Sequence, residues 1–120
     1  MITAVIIDDE RGSRSFLKGH LKAFCPDVKI VGEAETVGTG LNLIQLHKPD
    51  IIFMDIKIQE QTGYDLIELL KKEQTGPMTY KIIFTSALNE STSKREPIIL
   101  DYLQKPIDPD ELLISLRKAM

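Results

Sequence analysis

A doubly wound α/β fold on a five-stranded parallel sheet is the architecture expected of this chain, and two observations lead to it. Short β-rich apolar runs alternate with helical patterns along its whole length. Four of those runs also end on residues that chemistry can use: Ile6-Ile7 into Asp8-Asp9, Ile51-Phe53 into Asp55, Ile82-Phe84 into Thr85-Ser86, and Leu103 into Lys105-Pro106. The carboxyl ends of parallel strands share one edge, where α/β ligand sites form. Three carboxylates, a hydroxyl and a lysine are therefore expected to converge there.

Each element has its own signal. Ile2-Ile7 reads as the first strand, followed by a helix whose Phe16, Leu17, His20, Leu21 and Phe24 are placed on one apolar face and which Pro26-Asp27 closes. Val28-Ala34 is the second strand. Thr36 is the expected N-cap of a helix carrying Val37, Leu41, Ile44 and His47, weakened in its first turn by Gly38 and Gly40 and stopped by Pro49. By this placement His20 and His47 serve core or boundary packing.

Ile51-Met54 lacks polar alternation, as a central strand buried on both faces should. A polar loop, Lys57-Gly63, leads to a helix with Leu66, Ile67, Leu69 and Leu70, and the turn-like Thr75-Gly76-Pro77 precedes a fourth strand at Tyr80-Thr85. The stretch from Asn89 to Pro97 has no apolar stripe, so a fourth helix there is expected to be short or irregular. Leu100-Leu103 is a shorter fifth strand. Asp108 as cap, Pro109 at the first helical position, and Asp110 and Glu111 in the first turn announce the last helix, with Leu112, Leu113 and Leu116 as its buried stripe. The strand order that suits this alternation is the flavodoxin-like 2-1-3-4-5.

The chain's 120 residues fit one domain with a core of its own, spanning residues 1-120. A net charge of -3 offers no general attraction to phosphate backbones, so direct nucleic-acid binding is not expected. Cys25 is the only cysteine, which rules out an internal disulfide and suits a reducing compartment. The longest apolar stretches run to about five residues, against the roughly 20 that a membrane helix needs. The expectation is a cytoplasmic protein with no membrane contact.

Asp8, Asp9 and Asp55 as neighbours carry an electrostatic problem. Two carboxylates about 4 Å apart repel by about 4 kcal/mol at an effective dielectric of 20, so together they call for a cation or a raised pKa. A hard, oxygen-seeking ion such as Mg²⁺ answers the need and accepts phosphate oxygens as further ligands. Lys105 adds a point charge for a phosphoryl oxygen, Ser86 or Thr85 a hydrogen bond, and a carboxylate is a known nucleophile for an aspartyl phosphate. Asp55, at the end of the central strand, is the best placed.

Asp8-Asp9-Glu10, Asp55, Gly63, Ser86-Ala87 and Tyr102-Leu103-Gln104-Lys105-Pro106 together resemble the receiver domain of bacterial two-component response regulators, over essentially the whole chain. The resemblance implies a phosphoacceptor signalling domain that catalyses only its own phosphorylation and dephosphorylation. It makes Asp55 the phosphoacceptor, Asp9 a direct Mg²⁺ ligand, Asp8 a supporting acid holding metal-bound water, and the Lys57 carbonyl a further ligand. Lys105 would pair with the phosphoryl group, Ser86 would be the hydroxyl switch, and Tyr102 the aromatic that follows it. Ser86 is preferred to Thr85 because it precedes Ala87 and because strand alternation sends Thr85 to the other face.

The partners implied are a sensor histidine kinase, a second copy of the chain on activation, and an output domain. The segments Lys48-Ile56 and Asp101-Ile107 are most similar to receivers that precede LytTR-type DNA-binding domains. No such domain follows Met120, so the chain reads as an excised N-terminal domain or a stand-alone receiver. Three rival readings have specific weaknesses. An aspartyl-phosphate hydrolase wants a second Asp where Lys57 stands, a flavin-binding loop would be repelled by Asp8-Asp9-Glu10, and a never-phosphorylated interaction module has no use for Asp55 with Lys105.

The chain departs from the receiver pattern in places. Gln59 stands where receivers commonly have proline, which gives that loop more freedom. Lys57 puts a basic side chain beside the acidic cluster, to compete with the cation or to point into solvent. Leu88 is apolar where a polar residue would help position attacking water, and slow phosphate loss is expected from it.

Overall fold

Apolar runs without alternation become interior strands, and the computed structural model, which describes residues 1–73, 78–87 and 96–119, forms them where the sequence pattern put them. In chain order the elements are β1 (Ile2–Ile7), α1 (Arg11–Phe24), β2 (Val28–Ala34), α2 (Val37–His47), β3 (Ile51–Asp55), β4 (Lys57–Ile58), β5 (Gln61–Thr62), α3 (Gly63–Glu73), β6 (Lys81–Ser86), β7 (Ile99–Gln104) and α4 (Pro109–Ala119). The main sheet is parallel with the order β2-β1-β3-β6-β7, which is the expected 2-1-3-4-5 once the small β4–β5 hairpin is set aside. The expected turn at Thr75-Gly76-Pro77 and the residues from Leu88 to Arg95, including most of the expected irregular helix, lie outside the described residues.

Period-two alternation divides the core into two layers. Val5, Ile7, Ile52, Met54, Ile82 and Phe84 pack with Val37 and Ile44 of α2 and with Leu66, Ile67 and Leu70 of α3. Ala4, Ile6, Ile51, Phe53 and Ile83 face the other way, onto Leu17 and Leu21 of α1 and Leu112 and Leu116 of α4. β3 is buried throughout and pairs on both sides, with β1 and β6, and Asp55 closes it.

Local chemistry places the helices. Thr36 caps α2 as expected, its hydroxyl accepting from the Thr39 N–H at 3.1 Å, and Asp108 caps α4, its carboxylate accepting from the Asp110 N–H at 2.8 Å. Gly40 is required by close approach, since a Cβ there would stand 2.7 Å from Ile7 Cδ1. Cys25 is buried at the end of α1, and burial raises its thiol pKa, in keeping with an inert packing role.

Two sequence expectations are corrected. Phe16 and Phe24 are 46% and 49% exposed rather than part of the apolar face of α1. The buried face is Arg14, Leu17 and Leu21, while Phe16, His20 and Phe24, spaced four apart, form a separate stripe about 100° round the helix. Their rings touch in series, with centroids 4.3 Å apart for Phe16–His20 and 5.9 Å for His20–Phe24. His47, expected in packing, is exposed at the end of α2, because Ile44 already occupies the last inward position.

Candidate functional site

Four strands deliver the site. Asp8 follows β1 and is 4% exposed, with its N–H tied to the Ala34 carbonyl of β2 at 3.0 Å. Asp55 closes β3 and is 8% exposed, and the next residue, Ile56, donates its N–H to the Thr85 carbonyl of β6 at 3.1 Å. Lys105 follows β7, its N–H bound to the Ser86 carbonyl at 2.7 Å, and the Lys105–Pro106 peptide bond is cis. These main-chain bonds continue the ladder beyond the strands and hold the side chains at one edge.

Asp8, Asp9 and Asp55 each offer a carboxylate oxygen, and these atoms lie within 4.8 Å of one another. Lys105 Nζ stands between two of them, donating to Asp8 Oδ2 at 2.8 Å and to Asp55 Oδ2 at 3.0 Å, with Ser13 Oγ at 3.4 Å. Burial raises the pKa of Asp55. The Lys105 hydrogen bond and charge oppose that shift without cancelling it, and the Asp8 charge adds to it. Burial alone would lower the pKa of Lys105, but its hydrogen bonds to Asp8 and Asp55 overcome this and raise it. A charged lysine thus sits beside an acid whose anionic form is not fully satisfied, a setting that a divalent cation on hard oxygen donors would relieve.

Ser86 is 4% exposed at the end of β6, and alternation puts it on the Phe84 side of the sheet, whereas Thr85, paired with Asp55 in register, falls on the other. Phe84 stacks on Tyr102, with ring centroids 5.4 Å apart and an interplanar angle of 17°, and also meets Tyr64 of α3 at 5.0 Å. The Tyr64 and Tyr102 hydroxyls are 3.0 Å apart, and burial pushes the Tyr64 phenol pKa up. Ser86 therefore shares with Tyr102 the face of β6–β7 on which Phe84 and Tyr102 stack. Gly63 makes that stack possible, because a Cβ there would lie 2.3 Å from Phe84 Cε1 and 3.0 Å from the Asp55 carbonyl oxygen.

Lys57 lies in β4 with an exposed side chain, and its N–H donates to the Asp55 carboxylate. The ammonium between the carboxylates belongs to Lys105, not to Lys57. Several contributors escaped the sequence pattern. Arg14, buried within α1, donates from Nη1 to the Asp8 carbonyl at 2.7 Å and from Nε to Glu33 at 3.0 Å, and Lys18 joins Glu33 at 2.7 Å. The polar loop is a hairpin, and the Gln59 N–H at its turn donates to Asp9 Oδ2 at 3.1 Å. The only sequence hint for Arg14 was its spacing from Leu17 and Leu21. A cleft of about 430 Å³ bordered by Ser13, Phe16, Ala87, Lys105, Pro106 and Ile107 opens beside the cluster.

The sequence profile of the response regulator receiver domain matches residues 4–117. This chain belongs to that family. Curated relatives of the receiver include the sensory transduction protein LytT of Bacillus anthracis, 33% identical over 98% of this chain and 47% of its own length. An uncharacterized response regulatory protein of Vibrio parahaemolyticus is 36% identical over 98% of this chain and 47% of its length. The receiver thus spans about half the length of these relatives. Among solved structures, the response regulator domain of Thermotoga maritima CheB superposes with a TM-score of 0.78 at 26% identity, covering 99% of this chain and 96% of that one. The response regulatory domain of Klebsiella pneumoniae mrkE gives 0.81 at 24% identity, covering 98% and 94%, and shares the fold. The receiver is accordingly a signalling domain of two-component systems. No helix among its described residues is long and apolar enough to cross a membrane.

Proposed function

We propose that this receiver accepts a phosphoryl group from the phosphohistidine of a sensor histidine kinase onto Asp55, and that the modified state controls an output. The observation that carries this reading is the meeting of Asp8, Asp9 and Asp55, with Lys105 bridging Asp8 and Asp55. In the transfer, an Asp55 carboxylate oxygen forms a bond to phosphorus, the phosphorus–nitrogen bond of the donor breaks with its electron pair going to the imidazole, and that ring takes up a proton from solvent. Later hydrolysis returns inorganic phosphate and the free carboxylate.

Mg²⁺ would be held by Asp8, Asp9, Asp55 and the Lys57 carbonyl, and when bound it supplies charge neutralisation at the phosphoryl oxygens. Asp55 is the nucleophile. Lys105, released from its bond to the Asp55 carboxylate, pairs with a phosphoryl oxygen, and Ser86 donates its hydroxyl to another. Movement of Ser86 is relayed to Tyr102 on the same face. This self-modification is the only reaction the domain performs.

The similarity to LytT supports a LytTR-type DNA-binding output in the same protein or a partner, and the reading extends to homodimer formation on activation and a cytoplasmic setting with the kinase as donor. The test is intact mass after incubation with Mg²⁺ and acetyl phosphate, beside Asp55→Asn. A metal-dependent gain of one phosphoryl mass, absent from the variant, is the expected result. No gain in a folded, Mg²⁺-binding protein would turn the reading toward an interaction module that is never phosphorylated.

A further inference from the structure

Of the three clustered carboxylates, two are fixed by their surroundings. Asp8 accepts from the Glu10 N–H at 2.9 Å and from Lys105, and Asp55 accepts from Lys105 and the Lys57 N–H. Asp9 is exposed, sits on the loop after β1, and receives its hydrogen bond from across the fold, from the Gln59 N–H at 3.1 Å. Gln59 reaches it in an unusual conformation. Its φ is 57°, in the left-handed region that a side-chain-bearing residue adopts only at an energetic cost.

The hairpin around Gln59 is anchored at both ends, so the conformation is imposed rather than incidental. Ile58 is 1% exposed in the core, β4 and β5 pair Lys57 with Thr62 and Ile58 with Gln61, and the Thr62 N–H donates to Asp65 Oδ2 at 2.8 Å at the start of α3. A two-residue turn at Gln59-Glu60 closes such a hairpin with a positive φ at its first position, where glycine is the low-cost residue. Glutamine keeps what proline cannot offer: an N–H, and access to positive φ.

We infer that Gln59 is a positioning residue whose main-chain N–H, aimed by this left-handed turn, preorganises Asp9 for the cation that the proposed function requires. A carboxylate has about four lone-pair sites, so one hydrogen bond at Oδ2 orients the group and leaves room for a metal ligand bond. The inference rests on the Mg²⁺ reading, and it assigns the Asp9 arm of that site to the turn chemistry of β4–β5.

The experiment compares Mg²⁺ titrations by calorimetry for the unmodified protein, Gln59→Gly and Gln59→Pro, with amide exchange at Gln59 measured without metal in the unmodified protein and in Asp9→Ala. Gln59→Gly keeps the N–H and fits the turn, so its affinity stays within about twofold of the parent, while Gln59→Pro weakens Mg²⁺ binding about tenfold, the loss expected for a hydrogen bond to a charged group. The Gln59 amide exchanges faster in Asp9→Ala. Equal affinity in Gln59→Pro, or an exchange rate indifferent to Asp9, overturns the inference while leaving the cation site standing. No Mg²⁺ binding by the parent overturns both, and a Gln59→Pro protein that fails to fold leaves the amide exchange at Gln59 to decide.

Discussion

Lys105 donates to Asp55 Oδ2 at 3.0 Å and to Asp8 Oδ2 at 2.8 Å, so the charge repulsion of the acidic cluster is met from within the chain before any cation arrives. The Lys105 side chain keeps a fifth of its surface exposed, at 20%. Removing one partner of a buried ion pair costs about 3–5 kcal/mol, and this partial exposure brings the expectation down to roughly 2 kcal/mol. Lys105→Met is therefore expected to lower metal-free stability by about that amount while enlarging the stabilisation that added Mg²⁺ gives. Melting curves with and without Mg²⁺ check it, and an unchanged Mg²⁺ increment would count against charge compensation by Lys105.

Asp55 gives a pH dependence of definite sign. Its folded-state pKa lies above the ordinary 3.8, chiefly through burial, so its contribution to stability is present in full below 3.8 and is lost as pH rises through the raised value. Asp55→Asn carries no such loss. The variant should be more stable than the parent at neutral pH in the absence of Mg²⁺, with the difference shrinking as pH falls through the carboxylate range. Urea unfolding at neutral and acid pH measures both ends, and a constant difference would dissociate the effect from this titration.

Arg14 ties α1 to the cluster through the Asp8 carbonyl, and its guanidinium also serves Glu33 and Glu35. Burial acts to raise the Glu33 pKa, but the Lys18 hydrogen bond, the largest influence, and Arg14 lower it overall. Arg14→Ala leaves the Asp8 main chain and Glu33 without this partner and is expected to cost about 2–3 kcal/mol. Arg14→Lys recovers only part, since an ammonium cannot reproduce the guanidinium fork. Chemical denaturation of the two variants is the check, with full rescue by lysine the adverse result.

How far the sequence revealed this molecule depends on the kind of signal each residue carries. β3 and Asp55 were legible because a doubly buried strand needs an uninterrupted apolar run, and the residue closing such a run must lie at the sheet edge. Asp108 and Thr36 were legible because capping is local. Arg14 was not, as its carboxylate partners lie 19 and 21 residues away and nothing but its spacing from Leu17 and Leu21 marks an arginine on an apolar face. The stripe of Phe16, His20 and Phe24 was assigned inward because aromatic residues at four-residue spacing satisfy the same helical template as Leu17 and Leu21, and only packing decides which neighbouring stripe is covered. Gln59 stood out only as a replacement for proline, read as added freedom, and its hydrogen bond stayed hidden for another reason: the donor is a main-chain N–H, which every residue but proline possesses.

Gly63 offers a purely steric test. A Cβ there would collide with the fully buried Phe84 ring at 2.3 Å and press on the Asp55 carbonyl at 3.0 Å. Overpacking of this kind costs about 1–3 kcal/mol. Gly63→Ala is expected to destabilise by that amount and to displace the Phe84 ring against Tyr102. Aromatic proton spectra report the displacement, and a variant with unshifted Tyr102 resonances would show that Phe84 yields without passing strain on.

The choice between Ser86 and Thr85 turns on the face each occupies. Ser86 lies on the side of Phe84 and Tyr102, whose rings stack at 5.4 Å, while Thr85 lies on the side of Leu103 and the α1–α4 layer. A hydroxyl drawn toward a phosphoryl group on Asp55 would vacate space on its own face, so under the proposed function Ser86 is the hydroxyl expected to free Tyr102 to move. Ser86→Ala is expected to accept phosphate from acetyl phosphate yet lose at least about half of the phosphorylation-induced shift of the Tyr64 and Tyr102 ring resonances, the extent being set by how far the two-state equilibrium depends on that one hydroxyl bond. Thr85→Ala should keep the full shift at a stability cost of roughly 1 kcal/mol for its buried hydroxyl and methyl. The opposite pattern, with Thr85→Ala silencing the tyrosines and Ser86→Ala sparing them, would place the switch on the α1–α4 side of the sheet and sever Tyr102 from it.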